Sequence, residues 1–214
     1  MNEGRRARLI EAAQAMNRSG INQGTSGNLS LRTGTGMLIT PSGLDYDGLQ
    51  ADDIVYLPLN GDGAPEVGSR KPSSEWRFHR DVYRARPDAL AILHAHPVHS
   101  VALACLRRPL PAFHYMVAVA GGRDVRCAPY ATFGTQQLSD HVVAALEGRR
   151  ACLMANHGLL CLGPNLDKAL ALAIEIEVLA RAFLLSLAAG DPALLDDAEM
   201  DRILEKFRDY GASG

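Results

Sequence analysis

The stretch Ala89-Leu90-Ala91-Ile92-Leu93-His94-Ala95-His96-Pro97 is an apolar run that ends in two histidines. The run predicts a buried strand, and Pro97 closes it because proline has no N–H to give to a sheet. Side chains alternate along a strand, so His94 and His96 face the same way, about 6.7 Å apart along the strand axis. Such a pair suits a metal ion, but two ordinary histidines would look the same. The rest of the chain has to decide between these interpretations.

Composition indicates one ordinary globular domain over residues 1–214. The chain is 47% hydrophobic and 21% charged, with a formal net charge of −2. This balance provides a sizeable core and gives no electrostatic footprint for nucleic acid or an anionic membrane. The longest apolar stretch, 169–189, contains Glu175, Glu177 and Arg181, so it predicts a buried helix and no membrane span.

The N-terminus and the cysteines predict a cytoplasmic protein. No charged region followed by an apolar run opens the sequence, so we expect no signal peptide. The four cysteines form no CxxC motif and have apolar neighbours in sequence, which predicts reduced thiols in the core. They are Cys105, Cys127, Cys152 and Cys161.

Hydrophobic periodicity and turn signals predict an α/β domain. Helices are expected at 3–18, from Pro72-Ser73-Ser74-Glu75 onward, and at 98–106, 135–147, 166–188 and 196–208. Strands are expected at 29–32, 37–40, 54–59, 89–96, 151–155 and 159–162, with irregular backbone over 109–130. The Thr33-Gly34-Thr35-Gly36 hairpin signal favours a central, largely antiparallel sheet flanked by helices.

Two further residues fit a metal centre with the histidine pair. His157 lies between two apolar strands and precedes Gly158, so it can complete a His₃ site of the kind that holds a catalytic zinc. Glu75 is expected in the first turn of its helix, where the dipole favours the ionised form that suits a ligand or a general base. Alone, His157 is typical of a polar turn and Glu75 of a helix start.

Small polar residues and glycines cluster in three segments that can bind an anion. Backbone N–H groups in glycine turns and at a helix N-terminus bind phosphate oxygens, and serine hydroxyls add donors, although each segment alone is typical of a turn. The candidate phosphate ligands are Ser26, Gly27, Asn28, Ser42, Gly43, Ser73 and Ser74. Of these, Ser73 and Ser74 would bring the anion beside Glu75.

The remaining histidines and one tyrosine are less informative. His79 and His141 fall on predicted helices and His99 follows the histidine strand, so none of the three is expected to be a ligand. Tyr115 follows a proline-rich turn, where its phenol either donates a proton or packs in the core.

These motifs, in this order, resemble the class II aldolase/adducin family nearly from end to end. The matching segments are Gly24-Thr25-Ser26-Gly27-Asn28-Leu29-Ser30, Thr40-Pro41-Ser42-Gly43, Lys71-Pro72-Ser73-Ser74-Glu75-Trp76-Arg77-Phe78-His79, His94-Ala95-His96-Pro97, His114-Tyr115-Met116, Ala128-Pro129-Tyr130-Ala131-Thr132-Phe133-Gly134-Thr135, Asn156-His157-Gly158-Leu159 and Glu205-Lys206-Phe207-Arg208-Asp209-Tyr210-Gly211. Two positions depart from the family pattern: Ser42 replaces a common threonine, and Asn156 stands where a histidine often precedes the metal-binding one.

The resemblance implies a three-layer fold and a role for each candidate residue. One zinc ion per subunit, or another divalent metal, would be held by His94, His96 and His157. Glu75 would bind the metal at rest and act as acid/base, and the seven residues of the anion segments would hold phosphate. Tyr115 would act from a neighbouring subunit of a homotetramer whose sites lie between subunits. The tail that carries Tyr210 would cover the site.

The implied reaction cleaves a ketose 1-phosphate, such as L-fuculose 1-phosphate, to dihydroxyacetone phosphate and a small aldehyde such as L-lactaldehyde. Ketoses of a 5-deoxyribulose or 5-methylthioribulose salvage route remain alternatives, as do sugar-phosphate 4-epimerases, dehydratases and decarboxylases of the family. The epimerases carry an aspartate near the position of His114 and Tyr115. An adducin-like structural module tends to lack the metal histidines, so the full ligand set here counts against it.

Overall fold

One sheet with helices on both faces makes up the described part of the chain. The computed structural model describes the backbone of residues 2–61 and 69–210 and, of these, the side chains from 3 to 208. Its strands are β1 (Asn28–Thr33), β2 (Gly36–Ile39), β3 (Val55–Pro58), β4 (Ala91–Ala95), β5 (Arg126–Ala128), β6 (Ala151–Met154) and β7 (Gly158–Gly163). Its α-helices are α1 (Asn2–Arg18), α2 (Trp76–Ala85), α3 (Val98–Cys105), α4 (Gln136–Ala145), α5 (Leu166–Ala189) and α6 (Asp197–Tyr210).

The histidine strand β4 lies in the middle of the sheet. The strand order is β3-β2-β1-β4-β7-β6-β5, and every neighbouring pair is antiparallel except β5 with β6. In the register of this sheet His94 lies opposite Asn28 of β1 and Leu160 of β7. The largely antiparallel sheet that the hairpin signal predicted is therefore confirmed.

The two faces of the sheet bury separate apolar clusters, which gives the three layers. Leu93 and Ala95 belong to the cluster beneath α1, α3 and α5, whereas Ile92 belongs to the cluster beneath α2 and α4. His94 follows the alternation and lies on the side of Ile92, with its ring edge against Phe78 of α2 at 5.6 Å between centroids. No helix among the described residues is long and apolar enough to cross a membrane.

Two expectations about local structure were wrong. Strand β5 and a 3₁₀ helix over Tyr115–Ala120 lie within 109–130, where irregular backbone was expected. Three residues are too few to show an alternating pattern, and β5 is defined by its parallel pairing with β6. Cys105 is exposed at the end of α3, because Leu103 and Ala104 fill the face of that helix that packs on the core. Cys152 and Cys161 are buried as predicted, and Cys127 is half-buried.

A carboxylate from α5 caps the start of α3. Pro97 occupies the N-cap position and makes no side-chain hydrogen bond to the helix. Glu177 accepts instead from the backbone N–H groups of His99 and Ser100, both at 2.9 Å. Its two oxygens also lie 2.8 Å from the His99 ring Nδ1 and the Ser100 hydroxyl. Four donors at the helix start therefore share one carboxylate, which fixes α3 directly after the histidine strand.

The capping role of Glu177 predicts a loss of stability on its removal. Glu177→Ala is expected to lower the free energy of unfolding by about 2–3 kcal/mol, because charge-assisted bonds to a half-buried helix start are lost. Glu175→Ala on the same helix is the control and should change it by less than about 0.5 kcal/mol. Urea denaturation measures both, and equal effects of the two substitutions would contradict the capping role.

Candidate metal centre

Three histidines from two loop–strand junctions converge on one point. His94 lies in β4, His96 follows that strand, and His157 lies in the turn between β6 and β7. One ring nitrogen from each lies within 4.8 Å of the other two. The ring centroids are 4.7 to 5.1 Å apart, and the Nε2 atoms of His94 and His96 are separated by 2.9 Å. The structure thus brings together the three histidines that the sequence singled out.

Glycine and a left-handed residue allow the third histidine to approach. A Cβ atom at Gly158 would lie 2.6 Å from both the Ala95 carbonyl oxygen and His96 Cδ2, so only glycine fits here. Asn156 has φ +53°, a conformation that asparagine tolerates better than most residues. The His157 N–H donates to the Met154 carbonyl at 3.0 Å, and this closes the turn. The tight turn holds the His157 ring against the other two.

Each of the three imidazoles turns a ring nitrogen toward the cluster. His94 Nδ1 lies 2.9 Å from the Leu159 carbonyl oxygen, which only accepts, so Nδ1 carries a proton and Nε2 faces the cluster. Burial, together with the nearby His94 and His157, lowers the pKa of His96 to about 3. Three imidazole nitrogens around one point match the ligand set of a catalytic zinc site with an open position.

Glu75 completes the cluster with a buried carboxylate. Its Oε2 lies 3.1 Å from His94 Nε2 and accepts from the Asn28 amide at 2.9 Å, while Oε1 lies 3.0 Å from His157 Nε2. Burial raises the pKa of Glu75, but the imidazoles of His94 and His157 outweigh it and hold this pKa well below its ordinary value. Glu75 Oε1 makes no hydrogen bond. A buried, ionised oxygen with no partner besides the His157 ring is costly, and a cation between it and the imidazoles would relieve that cost.

The position of Glu75 corrects the sequence-based expectation. It is the N-cap residue of α2 rather than a member of the first turn, and its side chain does not cap the helix. The Ser73 hydroxyl accepts from the Glu75 N–H at 3.3 Å instead. The carboxylate turns back onto β1 and β4, because Asn28 and the histidines supply the partners that a helix N-terminus would otherwise provide.

The anion segments meet beside this cluster, and two of their residues line its cavity. The cavity has a volume of about 320 Å³, and Ser26, Ser74, Glu75, His96 and His157 are among its lining residues. Backbone hydrogen bonds join the segments. The Ser42 N–H donates to the Lys71 carbonyl at 2.9 Å, and the Ser73 N–H donates to the Thr40 carbonyl at 3.1 Å.

The other candidate phosphate ligands do not line this cavity. Ser73 is buried, and Ser42 and Gly43 are exposed near the ends of β2 and α2. A Cβ at Gly27 would lie 2.6 Å from the His94 carbonyl oxygen, so Gly27 permits the close approach of β4. The Asn28 amide is bonded on both sides inside the protein, to Glu75 and to His79.

Sequence reasoning assigned no role to three further cavity residues. Tyr130, Ala131 and Phe133 also line this cavity, and Tyr130 and Phe133 are 53% and 65% exposed. Gly134, at φ +73°, packs against the Ser74 carbonyl, where a Cβ would approach to 2.9 Å. A sequence signal for these residues does exist. Two aromatic residues lie between Pro129 and Gly134, in a segment typical of a loop, and a loop has no core in which to bury them.

Tyr115 lies outside the histidine cavity of its own chain. It is 52% exposed at the start of the 3₁₀ helix. With Phe113, Ile203 and Phe207 it lines a separate cavity of about 870 Å³ beside α6. Tyr210 ends α6, and its side chain, like residues 211–214, lies outside the described part of the chain.

Comparison with known proteins gives a consistent set of relatives. Residues 7–184 match the family described as the class II aldolase and adducin N-terminal domain. A 5-methylthioribulose-1-phosphate/5-deoxyribulose-1-phosphate aldolase of Rhodospirillum rubrum is 52% identical over 95% of this chain and 90% of its own. An L-fuculose phosphate aldolase of Escherichia coli is 52% identical over 95% and 94%. A solved L-fuculose 1-phosphate aldolase structure superimposes with a TM-score of 0.90 at 44% identity, covering 95% of each chain.

The convergence of the three histidines predicts metal binding that depends on each of them. His96→Ala is expected to weaken divalent-metal affinity by more than about 100-fold. Loss of a residue that only hydrogen-bonds a metal ligand costs up to about 100-fold, and loss of a ligand itself should cost more. The measurement is competition with a chelating dye on the metal-stripped protein. His141→Ala is the control, since His141 Nδ1 contacts only the Pro129 carbonyl at 3.1 Å. Equal affinities of the two variants would contradict a site built on these histidines.

Proposed function

Because the chain belongs to the class II aldolase and adducin family, we propose that it is an aldolase that reversibly cleaves a ketose 1-phosphate to dihydroxyacetone phosphate and a small aldehyde. The observation that carries this proposal is the arrangement of His94, His96 and His157 around the buried carboxylate of Glu75. We further propose that residues 1–214 act as a single domain and that the native cation is zinc.

The residues present fit a divalent cation. Three imidazole nitrogens and the Glu75 carboxylate lie around the same point, and zinc binds nitrogen and carboxylate ligands in this way. Held by these residues, the cation would act as a Lewis acid that stabilises the charge developing on the carbonyl oxygen of the ketose.

Glu75 is the residue proposed to move a proton. Cleavage of a 2-ketose breaks the C3–C4 bond and leaves its electron pair on the three-carbon fragment, so C3 must gain a proton. In the reverse direction a base must remove that proton. Glu75 is suited to this exchange because its carboxylate lies against the histidine cluster and Oε1 has no hydrogen bond outside that cluster, so this oxygen can take up the proton without losing such a partner.

Tyr115 is proposed to serve the other fragment from a neighbouring subunit. The C4 hydroxyl loses its proton as the aldehyde forms, and a phenol can hydrogen-bond that oxygen and exchange the proton. Within one chain Tyr115 lines the cavity beside α6 and not the histidine cavity. Its half-exposed position supports action across an interface of the homotetramer that we propose.

Phosphate is proposed to bind along the serine and glycine segments. Ser26 and Ser74 line the histidine cavity, and the segments around residues 42 and 73 pair through the backbone next to it. Hydroxyls and backbone N–H groups at such positions bind phosphate oxygens and would fix the reacting carbons relative to Glu75.

Two substrate classes have a specific observation in their favour. L-Fuculose 1-phosphate is favoured by the Escherichia coli relative and by the solved structure, and 5-deoxyribulose or 5-methylthioribulose 1-phosphate by the Rhodospirillum rubrum relative. All three ketoses end in an apolar methyl or methylthio group, which suits the wall of Tyr130, Ala131 and Phe133. They differ at C5, which carries a hydroxyl and a methyl group in fuculose, is itself the methyl group in 5-deoxyribulose, and carries a methylthio group in 5-methylthioribulose.

The proposal predicts release of a triose from at least one of these ketoses. The metal-loaded protein is expected to form dihydroxyacetone phosphate from L-fuculose 1-phosphate, 5-deoxyribulose 1-phosphate or 5-methylthioribulose 1-phosphate in a coupled reductase assay. The best substrate should exceed the poorest by about tenfold or more in kcat/KM, since a hydroxyl without a partner or a methyl misfit costs 1–3 kcal/mol. An epimerised sugar without triose release would contradict the aldolase proposal.

A further inference from the structure

A histidine outside the metal cluster lies at the centre of a buried polar chain. His79 of α2 is fully buried, and each of its ring nitrogens has a polar partner. Nε2 lies 2.6 Å from Asn28 Oδ1, and Nδ1 lies 2.7 Å from the Ser30 hydroxyl. Asn28 in turn donates to Glu75 at 2.9 Å, and the Ser30 hydroxyl lies 2.9 Å from the Tyr83 hydroxyl. The chain therefore runs Tyr83–Ser30–His79–Asn28–Glu75.

Two matched periodicities build this chain. Glu75, His79 and Tyr83 are spaced by four residues along the start and body of α2, so they fall on one helix face at intervals of about 6 Å. Asn28 and Ser30 are two residues apart in β1, on one strand face and about 6.6 Å apart. Because the two spacings nearly match, each strand side chain sits between two helix side chains.

The chemistry of the members fixes the direction of the hydrogen bonds between Ser30 and Glu75. The Glu75 carboxylate only accepts, so Asn28 must turn its amide nitrogen toward it and its oxygen toward His79. That oxygen requires a donor, so the His79 proton is on Nε2. Burial lowers the pKa of His79 to about 3, so Nδ1 is an acceptor and the Ser30 hydroxyl donates to it. From Ser30 onward each donor points toward Glu75, and the Tyr83 hydroxyl lies near both the Ser30 hydroxyl, at 2.9 Å, and the Leu90 carbonyl, at 3.5 Å.

We propose that His79 is a positioning residue, which locks the Asn28 amide in the orientation that holds Glu75 toward the three histidines. This inference rests on the proposed function, since it assigns the role through the proton carried by Glu75. His79 itself is not a candidate ligand, because both nitrogens are engaged away from the cluster. Without the Nε2 donor the Asn28 amide would be free to rotate, and Glu75 would lose the hydrogen bond that it receives from outside the histidine cluster.

Two amide substitutions test the two ring nitrogens of His79 separately. Glutamine places its side-chain nitrogen near the Nε2 position, whereas asparagine reaches only the Nδ1 position. His79→Asn is expected to lower kcat by about tenfold with KM within about twofold, because one hydrogen bond that orients the reacting group is lost. His79→Gln should keep kcat within about threefold of the wild type. Metal content should stay near one ion per chain in both.

Val82→Ala is the control for lost stability, since Val82 is buried on the same helix and does not belong to the polar chain. It should lower the melting temperature without lowering kcat. Equal losses of kcat in His79→Asn and His79→Gln, or a loss in Val82→Ala of the same size, would overturn the positioning role. So would wild-type kcat in His79→Asn.

An NMR measurement tests the chain without turnover. A long-range ¹H–¹⁵N spectrum of histidine-labelled wild-type protein should show His79 neutral with its proton on Nε2, and loss of this signal in His79→Gln identifies it. A proton on Nδ1 or a doubly protonated ring would overturn the proposal, even where His79→Asn fails to fold. A wild type inactive on all three ketoses would refute the proposed function instead, and the tautomer would still report on the chain.

Discussion

The antiparallel pairing of β4 with β1 on one side and β7 on the other is the constraint on which the site depends. At the end of β4 both neighbouring chains are glycine: a Cβ at Gly27 would meet the His94 carbonyl, and one at Gly158 the Ala95 carbonyl, each at 2.6 Å. This absence of side chains lets the turn with His157 close onto the strand. The same register places Asn28 opposite His94. The position of the Asn28 side-chain amide, which donates to Glu75, is therefore set by the pairing of β1 with β4.

The charged and polar side chains beside that pairing are buried at an electrostatic cost to folding. Glu75 is buried and ionised, and the ring nitrogens of three imidazoles lie within 4.8 Å of one another beside it. Such an arrangement disfavours folding on its own and is typical of functional sites rather than of cores. The two apolar layers on either face of the sheet supply the burial that offsets it. The polar chain from Tyr83 to Glu75 limits the cost further, because it leaves few of its own atoms unsatisfied.

Much of the fold and the histidine cluster followed from local patterns. The alternation in β4 and the hairpin at Gly34 have short-range physical causes, and the structure has both. What failed depended on neighbours distant in sequence. The direction of the Glu75 side chain is set by Asn28, 47 residues away, and not by the helix that Glu75 precedes.

His79 is a residue whose role the sequence analysis missed, although its spacing from Glu75 and Tyr83 is visible in the sequence. Its helical position made it an unremarkable residue, whereas its spacing of four from Glu75 and Tyr83 matches the two-residue spacing of Asn28 and Ser30. Only the packing of α2 on β1 turns these two rows into one chain. The exposed aromatic residues Tyr130 and Phe133 were missed for the same reason. They line the cavity only because the turn at Gly134 packs against Ser74, which is distant in sequence.

The central claim is that the histidine cluster and Glu75 together exchange a proton on the three-carbon fragment. Solvent exchange measures this half-reaction without the aldehyde: dihydroxyacetone phosphate is incubated with the metal-loaded protein in D₂O, and its carbon-bound protons are followed by NMR. The account predicts loss of one hydrogen from the hydroxyl-bearing carbon. It also predicts that Glu75→Gln retains the metal but exchanges at least about 100-fold more slowly. Exchange at the wild-type rate in metal-loaded Glu75→Gln would contradict it.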